Sequence, residues 1–190
     1  PRAAPFFAEN SRIFRRLKES VFPLSSFCMG HPGLRLRPSA SGSAGLLSLA
    51  TQAWRQPGSS FKPFIYSGAL EKGFTPASIV QDDPISFPAS VTGSQAWEPK
   101  NYDGKYDGPM SMRTGLMKSK NMVSIRILQA IGTRYAQDYV TRFGFDADKH
   151  PPYLTMALGA GSVTAWQMAA ANAVFANGGF RITPHIVKEI

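Results

Sequence analysis

The sequence is poor in the residues that build disulfides, metal sites and membrane spans. Among its 190 residues there is one cysteine, Cys28, which has no internal partner for a disulfide. The three histidines, His31, His150 and His185, share no metal-ligand spacing with it, so no metal site is expected. His185 and Glu189 stand four apart, a ligand spacing only on a helix, and they follow a strand-like run. No run of about 18 apolar residues is present, so no segment is expected to span a bilayer. Nor does the N-terminus read as a signal peptide, and Pro1 is not a natural start; the chain reads as part of something longer. Cysteine usage fits a cytosolic or a periplasmic protein and decides neither.

Acidic residues are also few: 12 Asp and Glu stand against 21 Lys and Arg, a net charge of +9. Such an excess points towards an anionic partner, but its distribution argues otherwise. Residues 1–49 hold seven basic side chains against two acidic, and residues 50–190 hold 14 against 10. The excess sits where pattern is weakest, so no nucleic-acid partner is expected.

Residues 1–49 are expected to be poorly structured. Residues 11–20 make at most a short basic amphipathic helix, and residues 33–49 are low in complexity. Order is expected from Ala50. An apolar helix over 59–72 is closed by Gly73, and a loop region over 74–110 contains a short strand at Ile85–Phe87. The loop's aromatics, Trp97, Tyr102 and Tyr106, argue that it is packed. Helices are expected at 111–118, 122–131 and 133–143, the last stopped by Gly144. Another runs from an N-cap at Thr164 to Ala176 and is ended by Asn177-Gly178-Gly179. Phe180–Val187 alternates like a strand. Four methionines, Met110, Met112, Met117 and Met122, read as core filler.

The chemistry concentrates in Gln56-Pro57-Gly58-Ser59-Ser60-Phe61-Lys62-Pro63. Proline is tolerated only in a helix's first turn, so Pro63 places the helix start near Gly58–Ser60. Ser59 and Lys62 then share one face, a turn apart. A hydroxyl beside an amine able to take its proton is a minimal activated nucleophile. At the positive end of a helix dipole, an oxyanion forming nearby would also be favoured. The alternative is plain: an N-cap serine and a solvated lysine, which the tetrapeptide alone does not exclude. Ser119-Lys120-Asn121 follows about 60 residues later, between two helical patterns where a loop would present it. S-x-x-K followed by S-x-N is a signature of serine acyl-transferases acylated by β-lactams.

Three stretches carry a resemblance to a family. ATQAWRQPGSSFKPFIYSGALEKGFTPAS (50–78), WEPKNYDGKYDGPMSMRTGLMKSKNMVSIRIL (97–128) and ALGAGSVTAWQMAAANAVFANGGFRITPHIV (157–187) resemble the transpeptidase domain of class A penicillin-binding proteins of the 1A type. Residues 1–10 resemble the segment that links that domain to a glycosyltransferase domain. The resemblance implies an α/β fold of the penicillin-binding transpeptidase and serine β-lactamase kind. Here the fold would be incomplete: a helical subdomain dominates and most of the central sheet is missing. It implies Ser59 as nucleophile, Lys62 as general base, Ser119 as proton relay to the leaving D-Ala and Asn121 as a hydrogen-bond partner of the donor peptide's amide. The Ser59 backbone N–H would supply half of the oxyanion hole. Trp54 and Tyr102 are candidates to line the cleft for peptidoglycan, and core packing serves them equally well. The implied chemistry needs no metal or cofactor, and the implied partners are D-Ala-D-Ala stem peptides and β-lactams, at the periplasmic face of the inner membrane. Membrane attachment would come only through a parent's N-terminal anchor.

Two departures accompany it. The family's third motif, K-T-G on a strand, does not follow the S-x-N in this sequence. Arg113-Thr114-Gly115 matches it only in letters, lies in a helical pattern and precedes the S-x-N. Residues 11–49 lack the family's strands, and their composition reads as an out-of-frame or rearranged segment. The 190-residue chain by itself is therefore expected to acylate little. Two other functions stay open: a D,D-carboxypeptidase or β-lactamase type hydrolase, and a non-catalytic basic binding fragment acting through residues 1–49.

Overall fold

Pro57 and Gly58 break the backbone before the first long helix, and Gly58 takes a φ of +57° there. In the computed structural model, residues 49–92 and 95–184 are described. The expectations for residues 1–48, including a helix over 11–20, and for His185 and Glu189 lie outside the described residues. From Gly58–Phe61 a 3-10 turn runs directly into α1, Lys62–Glu71. Pro63 sits in the first turn of α1, and Gly73 follows the helix at φ +92°.

Every residue of α1 from Lys62 to Leu70 is buried, so this helix is the axis of the core. It packs against α3 (Met112–Met117), α4 (Asn121–Ile131) and α5 (Thr133–Thr141). Gly68 lets α1 approach α5 closely: a Cβ there would lie 3.1 Å from the Tyr139 ring. Across the same contact the Ser67 and Tyr139 hydroxyls are hydrogen-bonded, and Arg142 pairs with Glu71 at 3.0 Å. Phe61, Phe64, Phe143, Phe145 and Phe175 interlock beneath α1, with ring centroids 4.9–5.6 Å apart.

The final long helix, α6 (Ala165–Ala176), begins as expected at Thr164. The Thr164 hydroxyl accepts from the Gln167 N–H while the Gln167 side chain accepts from the Thr164 N–H, a reciprocal cap. Asn177 closes it, and Gly178 and Gly179 follow at positive φ.

The stretch from 74 to 110 holds more order than its composition suggests. β1 (Ile79–Asp82) pairs antiparallel with β2 (Gly108–Ser111), with Val80 opposite Met110 and Asp82 opposite Gly108. A short helix, α2 (Ala89–Thr92), lies between them. The strand expected at Ile85–Phe87 does not form, because Pro84 and Pro88 remove donors on both sides. Only Phe87 pairs, with Trp97, in a single two-bond bridge at 2.9 and 2.8 Å. Residues 180–184 of the alternating segment are not in a strand, and the remainder lies outside the described residues. Among the described residues the only sheet is this two-stranded one, and helices predominate. Met110, Met112 and Met122 are core residues as expected, whereas Met117 is 75% exposed at the end of α3. No helix among the described residues is long and apolar enough to cross a membrane.

Candidate active site

Ser59 is exposed in the 3-10 turn, one turn before a lysine that is wholly buried. The Lys62 backbone N–H donates to the Ser59 carbonyl, the three-residue spacing of that turn. Side chains three apart eclipse in a 3-10 helix, so the tight turn stacks the two more directly than an α-helix would. The neighbouring Ser60 is otherwise engaged, donating its hydroxyl to the Pro57 carbonyl at 2.6 Å.

The turn is pinned from behind by backbone. The Gly58 N–H donates to the Gly159 carbonyl at 3.3 Å, and Arg55 and Val163 exchange two backbone bonds of 2.9 Å. A Cβ on Gly159 would fall 2.1 Å from the Gly58 carbonyl oxygen, so only glycine admits the two chains at this separation.

Lys62 reaches across to the second motif. Its Nζ donates to the Ser119 carbonyl at 2.6 Å, to the Ser119 Oγ at 3.1 Å and to the Asn121 Oδ1 at 2.8 Å. Burial pushes its pKa down to about 8. About a tenth of the amine is then neutral at pH 7, against almost none for an exposed lysine. Ser119 takes a left-handed backbone, φ +54°, which turns both its carbonyl and its hydroxyl onto Lys62. Asn121, the first residue of α4, splits its amide: the oxygen faces Lys62, and Nδ2 donates to the Lys100 carbonyl at 2.7 Å. Its second N–H is left to meet a ligand.

Four of the sequence-predicted site residues are thus brought together, and two are not. Tyr102 extends fully into solvent, which removes a core role for it. Trp54 is 37% exposed and lies under the Lys149 ammonium, 5.0 Å from the ring centroid. Neither joins the cluster around Lys62. Tyr106 is partly exposed, at 37%, and Trp97 packs, stacked on Phe87. Arg113-Thr114-Gly115 lies in α3, where Gly115 makes room for Val123 and Tyr66. That is a packing role, distinct from a carboxylate-binding strand.

Sequence reasoning missed two polar residues beneath Ser119-Lys120-Asn121, Asp82 and Asn101, and the part that Lys120 plays with them. Asp82 and Lys120 are buried and paired at 3.2 Å, and Lys120 also meets Asp103 and Asp107 at 3.1 and 3.2 Å. Burial alone would lower the Lys120 pKa, but its hydrogen bonds to Asp103, Asp107 and Asp82 outweigh this and raise it. Asn101 is buried as well, and its Nδ2 donates to the Asp82 Oδ1 at 2.7 Å. The one available signal was Lys120 itself, a charged residue between two expected site residues.

Comparison with known proteins bears on this arrangement. The penicillin binding protein transpeptidase domain family matches residues 37–190. Over 141 residues, 74% of this chain, the sequence is 53% identical to penicillin-binding protein 1A of Neisseria flavescens and 50% identical to that of Pseudomonas aeruginosa. The chain spans less than a fifth of those relatives' length, 18% and 17%. A crystal structure of penicillin-binding protein 1A from Haemophilus influenzae superposes with a TM-score of 0.71 at 48% identity, covering 74% of this chain and 21% of that one. Penicillin-binding protein A from M. tuberculosis, solved as an imipenem acyl-enzyme complex, shares the fold with a TM-score of 0.58 at 22% identity, over 66% of this chain and 33% of that one.

Proposed function

Because the chain belongs to the penicillin binding protein transpeptidase domain family, we propose that it carries the acyl-serine site of a D,D-transpeptidase that cross-links peptidoglycan stem peptides. The observation that carries this reading is the Lys62 ammonium, bonded at once to Ser119 and Asn121 from one turn beyond Ser59. Two motifs 57 residues apart meet on one buried amine, which a chance S-x-x-K would not do.

In this mechanism neutral Lys62 takes the proton of the Ser59 hydroxyl as Oγ attacks the penultimate D-Ala carbonyl. The oxyanion faces the Ser59 backbone N–H at the start of the helix. As the C–N bond breaks, the proton passes from Lys62 through the Ser119 hydroxyl to the departing D-Ala amine. The 3.1 Å contact between Lys62 and Ser119 supports that route. Asn121 orients the donor peptide with its remaining N–H. The amine of a second stem peptide then attacks the acyl-enzyme and releases Ser59. A β-lactam enters by the same first step and leaves an acyl group on Ser59. The whole protein would work at the periplasmic face of the inner membrane and also carry a glycosyltransferase domain. Trp54 and Tyr102, both exposed, would contact the glycan strands from outside the catalytic cluster. A hydrolase using the same serine would differ only in admitting water as acceptor.

Arg113-Thr114-Gly115 in α3 does not supply a carboxylate-binding strand, so slow acylation is the expected outcome for the 190-residue chain. The test is prolonged incubation with a fluorescent penicillin, read by intact mass and peptide mapping. One acyl group on Ser59 is expected, forming over hours, faster as pH rises towards about 8 and lost in Ser59→Ala. An adduct elsewhere, or equal labelling of Ser59→Ala, would overturn the reading. Rapid stoichiometric labelling would show that the third motif is dispensable.

A further inference from the structure

The turn that presents Ser119 and Asn121 is not held by its own residues. Helix α4 begins without a side-chain cap from Lys120, the residue at its N-cap. Its first N–H groups go instead to Asn101, 20 residues upstream, whose Oδ1 accepts from Asn121 at 2.8 Å and from Met122 at 3.3 Å. Asn101 is in turn fixed through Nδ2, which donates to the Asp82 Oδ1 and, at 2.8 Å, to the Lys105 carbonyl.

A second arm reaches the same carboxylate. Lys120, between the two site residues, sends its Nζ to the Asp82 Oδ2 and also donates to the Lys105 carbonyl at 3.1 Å. The Asp107 N–H fills the remaining face of Asp82, donating to Oδ2 at 3.0 Å. One fully buried carboxylate at the end of β1 therefore ties together the 101–107 loop, the turn and the start of α4.

Resting on the acyl-serine reading above, we propose that Asp82, Asn101 and Lys120 form a positioning unit that holds Ser119 and Asn121 against Lys62. Lys120 touches no substrate; it acts through its neighbours on either side. Without its charge, Asp82, Asp103 and Asp107 repel one another. The 101–107 loop moves outward and carries Asn101 away from the start of α4. Asn121 and Ser119 then lose their register on Lys62.

Two variants test this: Lys120→Met, and Asp82→Asn with Lys120→Met, which leaves no unpaired buried charge if the single variant fails to fold. Amide hydrogen exchange needs no catalytic activity. Exchange at Asn121 and Met122 is expected to quicken about tenfold or more relative to α5 amides, which touch none of the three residues. Equal quickening everywhere, or none, overturns the proposal, and so does a double variant that does not fold, since the unit would then hold the chain rather than the turn. The second arm is Ser59 labelling per folded molecule, expected to fall about tenfold or more. The groups facing the Lys62 ammonium are the Ser119 carbonyl and hydroxyl and the Asn121 Oδ1, all neutral. Loosening them admits water to Lys62 and relieves the burial that holds its pKa down, so the midpoint of the labelling rate against pH moves to higher pH. A purely structural role lowers the folded fraction and leaves that midpoint in place. Should the unmodified chain never label at Ser59, the acyl-serine reading fails while the exchange measurement still decides the positioning unit.

Discussion

Ser119 is the only residue other than glycine with a positive φ among the described residues, at +54°. An L side chain in the left-handed region costs about 1–2 kcal/mol, and the return on that strain is visible. The conformation delivers two acceptors from one residue to Lys62, a carbonyl at 2.6 Å and a hydroxyl at 3.1 Å. Replacing Ser119 by alanine or by glycine removes the hydroxyl in both cases and separates it from the backbone. Glycine escapes the strain but loses about 0.4–1 kcal/mol more entropy on folding. The balance leaves Ser119→Gly more stable than Ser119→Ala by about 0.5–1 kcal/mol. Urea unfolding of the two variants measures it, and an alanine variant as stable as the glycine one would mean that the backbone stores no strain there.

At the scale of elements, the site stands where a helix start pinned by two glycines meets the Ser119 turn, and this decides what the sequence could reveal. Pro63, Gly73, Thr164 and Asn177-Gly178-Gly179 act on their immediate neighbours, so the ends of α1 and α6 were legible. Ser59 and Lys62 were legible for the same reason, being one turn apart. β1 was not, because its burial runs exposed, half-buried, exposed, buried, with no apolar alternation to mark it. Asp82 and Asn101 were invisible because the bonds that tie them to each other and to the Ser119 turn span 19 to 38 residues and no local pattern announces a buried polar hub. Gly159 belongs to this second group, since its partner is Gly58. Gly159→Ala combines a positive φ of +69° with a Cβ 2.1 Å from a backbone oxygen that has no rotamer to move. Gly104→Ala, at φ +66° with nothing within 4 Å, carries the backbone term alone. The expected losses are about 1 kcal/mol for Gly104→Ala and about 3 kcal/mol or more for Gly159→Ala. Labelling of Ser59 should fall with Gly159→Ala only, because the displaced residue is Gly58. Equal losses in denaturant unfolding would show that the crossing of the two backbones is not tight.

At the scale of the whole molecule, the buried histidine among the described residues takes no part in the chemistry and governs acid stability. His150 is 1% exposed, stacked on Phe61 at 4.7 Å and 11°, and set edge-on to Phe145 at 5.4 Å. Neither ring nitrogen has a hydrogen-bond partner among the described residues. Gly161 backs it so closely that a Cβ there would meet Nδ1 at 2.1 Å. A neutral imidazole is tolerated in this apolar stack, whereas a charged one has nothing to pair with. Burial accordingly pushes its pKa down to about 4, with Asp146 partly offsetting the shift. The unfolded chain, at about 6.5, binds the proton first, so stability is complete above pH 6.5 and is lost as pH falls towards 4. The loss is at most on the order of 3 kcal/mol across that window. Asp103, held down by the Lys105 N–H and by Lys120, and Asp107, held down by Lys118 and Lys120, act in the same direction only at lower pH. His150→Phe keeps the stack on Phe61 and removes the proton site. Thermal unfolding between pH 7 and 4 should then be nearly flat for His150→Phe and steep for the parent, with both losing stability below about pH 4. A parent whose stability does not change between pH 6.5 and 4.5 would mean that His150 finds a proton acceptor when it charges, and that the aromatic core beneath Ser59 opens to admit one.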